Sequence, residues 1–316
     1  MTDGAADDHA GTRSVRATAE AIVDLSRTRQ ALLSVAQPAL AALIAAQGMP
    51  SMRVIGLGLI AASTGFLAVF SLNDVLDRHV DAESLAVGKA EVDGFDIDTA
   101  FVRHPLARGD LSLGLSLVWV GGLGVVSATC AFVLSPACLA LFATAVALEI
   151  AYCALRSVTW LKTVVSGVMV GVGGLAGWAA VAPLTWAALP TFSFLALWEI
   201  GGRNLPNDLA DLASDSRVGI RSVATVFGPH VSAISTLAVG VGAAGALVLV
   251  QTPMTVRAVS VALAVWAMTL PAVELVRDPT SEQAGRYFNR ASLLPALVFA
   301  VVLLGFLAPA SGVVVR

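Results

Sequence analysis

Nine stretches of about 20 mostly apolar residues recur along the chain, each long enough to cross a hydrocarbon core of ~30 Å as an α-helix. They fall at roughly 31–48, 52–72, 111–132, 136–154, 161–182, 187–205, 230–250, 254–276 and 291–310. No strands are evident between or within them. Several joints carry Pro or Gly, as in Gly48-Met49-Pro50, Ser135-Pro136 and Thr252-Pro253, which predicts helical hairpins with tight turns. The pattern therefore predicts an all-α, polytopic membrane protein with about nine transmembrane helices over residues 29–316, preceded by a polar tail at 1–28.

Composition supports lipid as the solvent. The chain is 57% hydrophobic and 13% charged, with mean hydropathy +0.83, whereas a soluble domain carries about 25% charged residues. A net charge of −3 leaves no basic stripe to neutralise phosphates, which excludes a nucleic-acid partner. The first 28 residues hold Asp3, Asp7, Asp8, Arg13, Arg16 and Arg27 and lack the apolar stretch of a cleavable signal, so insertion is expected to rely on the first span. Cys130, Cys138 and Cys153 all lie in apolar stretches at spacings that fit neither a disulfide framework nor a zinc site.

The cations give an orientation. With the N-terminus and alternate loops placed inside, 16 of the 19 Lys and Arg fall on that side, and only Arg53, Arg257 and Arg316 fall outside. Cytoplasmic segments carry such an excess, so the N-terminus and the segments after the second and sixth stretches are expected in the cytoplasm.

Those two segments share a pattern. Asn73-Asp74-Val75-Leu76-Asp77-Arg78-His79-Val80-Asp81 and Asn207-Asp208-Leu209-Ala210-Asp211-Leu212-Ala213-Ser214-Asp215 both read N-D-x-x-D-x-x-x-D. On a helix, positions 73, 77, 81 and 74 fall at about 0°, 40°, 80° and 100° around the axis, so one face carries every oxygen donor. Like charges at this spacing repel, and a carboxylate-rich oxygen site suits Mg²⁺ with water and phosphate completing its shell. A single such motif reads equally well as a solvated acidic segment. Two copies at the same spacing on the same predicted side favour a ligand site.

The candidate metal ligands are Asn73, Asp77, Asp81, Asn207, Asp211 and Asp215, with Asp74, Asp77, Asp208 and Asp211 as candidate catalytic groups. Arg78, Arg203, Arg217 and Arg221 flank the acidic positions, and Arg156 and Lys162 lie in an intervening inside loop. Such cations could hold the remaining oxygens of a metal-bound diphosphate, and each also reads as an ordinary positive-inside residue. His9, His79, His104 and His230 are dispersed and show no metal-ligand spacing with one another. Gly171-Val172-Gly173-Gly174 fits close helix packing.

On these residues the chain resembles the UbiA superfamily of intramembrane prenyltransferases, over nearly its whole length. The first motif resembles the family's, and Arg103-His104-Pro105-Leu106-Ala107-Arg108-Gly109-Asp110-Leu111-Ser112 is similar to the segment that opens the third helix. The stretch between, with acidic Glu91, Asp93, Asp96 and Asp98, is longer than in most members. Tyr152-Cys153 with Leu161-Lys162 resembles the diphosphate-contacting pattern, with Cys153 where serine is usual. Gly171 to Trp178, Asp208 to Gly228, and Phe288 to Ser292 resemble later family segments. Ser34, four positions before Pro38, stands where members that prenylate hydroxybenzoate usually carry arginine, which leans away from a benzoate acceptor.

The resemblance implies a helical bundle around a central, cytoplasm-facing cavity. It implies Mg²⁺ as cofactor and an isoprenyl diphosphate held by Tyr152 and Lys162, with Arg78 and Arg221, beside the acidic motifs, completing the candidate diphosphate-binding set. A hydrophobic acceptor and membrane lipid are the other expected partners. Ionisation of the diphosphate would leave an allylic cation that a dry cavity must shield from water. Trp160, Trp178, Trp198 and Tyr152 are candidate rings to stabilise it, or ordinary packing and interfacial anchors. Capture by an external nucleophile makes the protein a prenyltransferase; capture by the chain's own alkene makes it a terpene cyclase. A transporter or lipid-binding scaffold is a third reading.

Overall fold

A computed structural model describes residues 15–86 and 104–308. Glu91, Asp93, Asp96 and Asp98 lie outside the described residues. The described elements are all helical, in the order α1 (Val15–Leu25), α2 (Thr28–Ala46), α3 (Met52–Ala86), α4 (Leu113–Leu134), α5 (Pro136–Leu155), α6 (Lys162–Ala179) and α7 (189–210). The chain continues through two short helices, α8 (Leu212–Val218) and α9 (Val223–Phe227), into α10 (Pro229–Leu249), α11 (Met254–Arg277) and α12 (Ser281–Leu307).

Local signals explain several boundaries. Ser135 caps α5 by accepting from the Cys138 N–H at 3.1 Å while Pro136 fills the first turn, a combination suited to a helix start. Ser112 caps α4 in the same way through Leu115 N–H. Gly219, at φ 75°, ends α8 in a left-handed turn that glycine adopts without a Cβ penalty. Ser222 and Thr225 then form a reciprocal capping box that starts α9.

Eight of these helices, α2 to α6 and α10 to α12, are long and apolar enough to cross a membrane. The ninth predicted stretch, 187–205, is helical but is not among them. Its helix, α7, carries Glu199, Arg203 and Asn204 in a π-helical segment, Glu199–Asn204. It nevertheless returns the chain across the bundle. α6 leads away from Lys162, and α7 brings the chain back to Asp208, whose carboxylate lies 2.8 Å from the Lys162 ammonium. Contacts from Gly167 to Ile200 and from Gly174 to Leu195 set the two helices close along their length.

The first motif is not a loop but the end of α3. That helix has 35 residues, about 52 Å, and so overshoots a core of ~30 Å. The second motif is broken: Asp211, at φ −91° and ψ 8°, interrupts the helix between α7 and α8. Part of the segment expected as a polar tail is helical in α1, which buries Ala21 and Leu25 beside Val75, Leu106 and Leu111.

The larger core joins α2 to the C-terminal half through Leu40, Ile44, Phe194, Trp198, Met268 and Leu294. Outward faces keep large apolar side chains exposed, as with Val118, Val125, Phe132, Val248 and Leu304, which is the surface a lipid solvent requires. α6 lies close against α2, and a Cβ at Gly177 would overlap the Pro38 carbonyl.

Candidate active site

All eight polar positions of the two motifs, Asn73, Asp74, Asp77, Asp81, Asn207, Asp208, Asp211 and Asp215, line one cavity of about 530 Å³. α3 delivers the first four and the α7–α8 junction the second four, and α8 packs directly on α3. Asp74 and Asp208 are buried, a state that carboxylates reach only when paired or metal-bound.

The pairing is specific. Lys162 donates to Asp208 at 2.8 Å, and its ammonium also sits 5.3 Å from the centre of the Tyr152 ring. Arg156, at the end of α5, donates to Asp77. Partial burial lowers the Arg156 pKa from its ordinary value, although an arginine stays charged in proteins. Arg27 reaches from the α1–α2 junction to Asn73 and Asp74, at 3.2 Å each. Arg203 also lines the cavity, stacked 5.4 Å from the Phe288 ring.

Of the four residues assigned to diphosphate from sequence, Tyr152 and Lys162 line this cavity and Arg78 and Arg221 do not. Arg78 turns back on its own helix to donate to the Val75 carbonyl at 3.0 Å. Arg221 is exposed, and its backbone N–H donates to the Arg156 carbonyl at 2.8 Å. It thereby ties the turn before α9 to the end of α5. The physical reason for both is that sequence proximity to an acidic motif does not fix the side of the helix or turn a side chain occupies.

Sequence reasoning also passed over groups that the fold brings in. His104 lies with Nδ1 3.1 Å from an Asp81 oxygen. Asp74, Asp81 and His104 each offer a ligand atom within 4.8 Å of the others. His104 escapes a search by spacing because its partners lie on another element. It and Arg27 have φ of 52° and 42°, left-handed conformations uncommon for residues with a side chain and often concentrated at functional sites. Glu149 and Glu199, both buried, line the cavity as well.

Beyond the polar end the walls become apolar, through Phe66, Phe70, Phe142, Val170 and Leu303, as far as Met49 and Pro50 at the α2–α3 turn. Of the four rings singled out from sequence, only Tyr152 is among the lining residues. Trp178 and Trp198 belong to the core, and Trp160 packs edge-on against Phe227 at 5.6 Å. His79 is exposed on α3.

The donor set fits a hard divalent cation: carboxylate and amide oxygens converge from two elements, which is the ligand chemistry Mg²⁺ prefers. A helical, multi-pass membrane bundle with a charged mouth and an apolar interior is the class of protein that this fold and site define. The family model described as the UbiA prenyltransferase family matches residues 35–294, and the chain belongs to that family.

Solved structures share the fold. A UbiA homolog from Aeropyrum pernix K1 in its apo form is 16% identical, with 87% of this chain and 97% of that one aligned at a TM-score of 0.69. A UbiA homolog from Archaeoglobus fulgidus bound to DMAPP and Mg²⁺ is 17% identical, covering 89% of this chain and 98% of that one at 0.65. A structure described for digeranylgeranylglyceryl phosphate synthase is 14% identical, covering 92% and 98% at 0.64. No curated protein matches the sequence.

Proposed function

We propose that this protein moves an isoprenyl group from an isoprenyl diphosphate to a lipophilic acceptor within the membrane, with Mg²⁺ as cofactor. The observation that carries this reading is the single cavity in which both acidic motifs and four cations meet an apolar interior. The Archaeoglobus homologs bound to DMAPP or GPP with Mg²⁺ support it.

Asn73, Asp77, Asp81, Asn207, Asp211 and Asp215 would hold the metal, with Asp74 and Asp208 completing the acidic face. Bound there, Mg²⁺ supplies Lewis-acid neutralisation of the charge that develops on the leaving diphosphate. The chain's own residues do the rest. Lys162 and Arg156, paired here with Asp208 and Asp77, lie where they would exchange a carboxylate partner for a phosphate oxygen of the same sign. Arg27 and Arg203 line the same mouth. The Tyr152 ring beside Lys162 fixes the ammonium laterally. Phe66, Phe70 and Phe142 exclude water from the carbon that becomes cationic. The excess of Lys and Arg on the motif side supports a cytoplasmic mouth.

Those same phenylalanines favour one second reading, cyclisation of the prenyl chain, because aromatic faces stabilise a migrating cation. The purified chain, incubated with geranylgeranyl diphosphate and Mg²⁺, separates the readings. Diphosphate release that requires a lipophilic acceptor supports transfer. A hydrocarbon or terpene alcohol formed without acceptor establishes cyclisation instead. Asp77→Asn and Asp211→Asn are each expected to reduce release by about 10²–10³-fold, the scale of losing one electrostatic stabiliser. Full release in both variants would overturn the site.

A further inference from the structure

Asn73 is the one uncharged donor in the first motif, and an amide can present either of its ends to a metal. Only its oxygen is a useful ligand, since the NH₂ group is a donor. Something must therefore decide the direction of the amide. Its Nδ2 donates to Glu149 Oε1 at 2.8 Å and lies 3.4 Å from Cys153 Sγ. Its Oδ1 accepts from Arg27 at 3.2 Å. Glu149 and Cys153 both come from α5, one turn apart, and the Cys153 thiol itself donates to the same Glu149 oxygen at 3.5 Å. Glu149 is 4% exposed and Cys153 7%.

We propose that Glu149 is a positioning residue that holds the Asn73 side chain with its carbonyl oxygen facing the metal site, and that Cys153 helps fix Glu149 in that role. Glu149 Oε1 accepts from both the Asn73 NH₂ and the Cys153 thiol, so the Asn73 NH₂ faces Glu149. The carbonyl oxygen is then turned toward Arg27 and the cavity, with its second lone pair available to a cation. This is the outer-shell arrangement by which proteins orient metal ligands. It also accounts for a buried carboxylate on a membrane helix, which is costly without a function. Cysteine suits the position because its soft, weakly donating sulfur can lie against both Asn73 and Glu149.

The inference rests on the Mg²⁺ reading of the motifs, and its test has a readout separate from turnover. Mn²⁺ titrated into the purified protein and followed by electron paramagnetic resonance, without substrate, reports the site directly. Asn73→Asp places two carboxylates face to face and should weaken Mn²⁺ binding by about 10–100-fold, the scale of outer-shell losses. Adding Glu149→Gln exchanges the two groups: an amide now donates from α5 to a carboxylate on α3. That double variant should recover Mn²⁺ affinity to well within tenfold of the parent, along with a normal Mg²⁺ requirement for diphosphate release. Glu149→Leu, which removes the acceptor, should weaken binding while thermal unfolding still reports a folded protein.

If the double variant folds but binds Mn²⁺ no better than Asn73→Asp alone, Glu149 does not set the amide. If Glu149→Leu binds Mn²⁺ like the parent, the proposal likewise fails. If the parent binds no Mn²⁺ at all, the metal reading of the whole site is wrong, a result distinct from either.

Discussion

Lys162 and Asp208 meet with side chains 4% and 6% exposed, deep enough that neither charge is stable alone. Breaking such a pair by removing one partner costs about 3–5 kcal/mol, because the other charge is left buried. Lys162→Met is therefore expected to lower the unfolding temperature clearly and to abolish diphosphate release. Adding Asp208→Leu should recover stability without recovering release. A melting temperature unchanged in Lys162→Met would show that the pair is solvated and contributes little. At this scale, the sequence was most informative where a pattern repeats: the two N-D-x-x-D-x-x-x-D runs point to all eight motif positions. It was weakest for Arg27, Glu149 and His104, which join the site from other elements and carry no spacing that announces it. Arg78 and Arg221 show the converse, proximity in sequence without a place on the cavity wall.

Among the elements, α6 shows how glycine spacing sorts packing from function. Both Gly173 and Gly177 border the cavity, but a Cβ at Gly177 would run into the Pro38 backbone, whereas one at Gly173 meets nothing within 4 Å. Gly177→Leu should force α6 away from α2 and cost about 1–3 kcal/mol or more by overpacking, read as a drop in thermal stability. Gly173→Leu should leave stability nearly unchanged; equal losses in the two variants would contradict this assignment of faces. The helices were legible because apolar runs of membrane length are long and uniform. α7 was placed correctly as a helix, but its break at Asp211 and its π-helical turn were not legible. Both depart from the 3.6-residue repeat over single turns, too short a stretch to disturb the apolar pattern from which the helix is read.

Across the whole molecule, the cavity follows α3 from Asp74 back to Val54, about 30 Å of helix, so the apolar interior spans nearly the bilayer. Gly173 and Gly58 both open onto it, the first about 16 Å along α6 from Lys162 and the second about 24 Å along α3 from Asp74. Gly173→Trp should therefore exclude longer isoprenyl diphosphates while sparing short ones, and Gly58→Trp should affect only the longest. Competition between donors of different length, read by product analysis, checks the order; the same loss for every length would place the tail elsewhere. The polar inner face of α7 has a consequence for biogenesis. An arginine at the centre of a span costs about 2.5–3.5 kcal/mol on insertion, and although Arg203 lies toward the mouth end of α7, the helix carries it together with Glu199 and Asn204. Among the described residues α7 is the one predicted stretch that is not both long and apolar enough to cross a membrane. Packing against α6 and α10 offsets that cost, so the membrane insertion of α7 is expected to be coupled to that of the helices on either side of it.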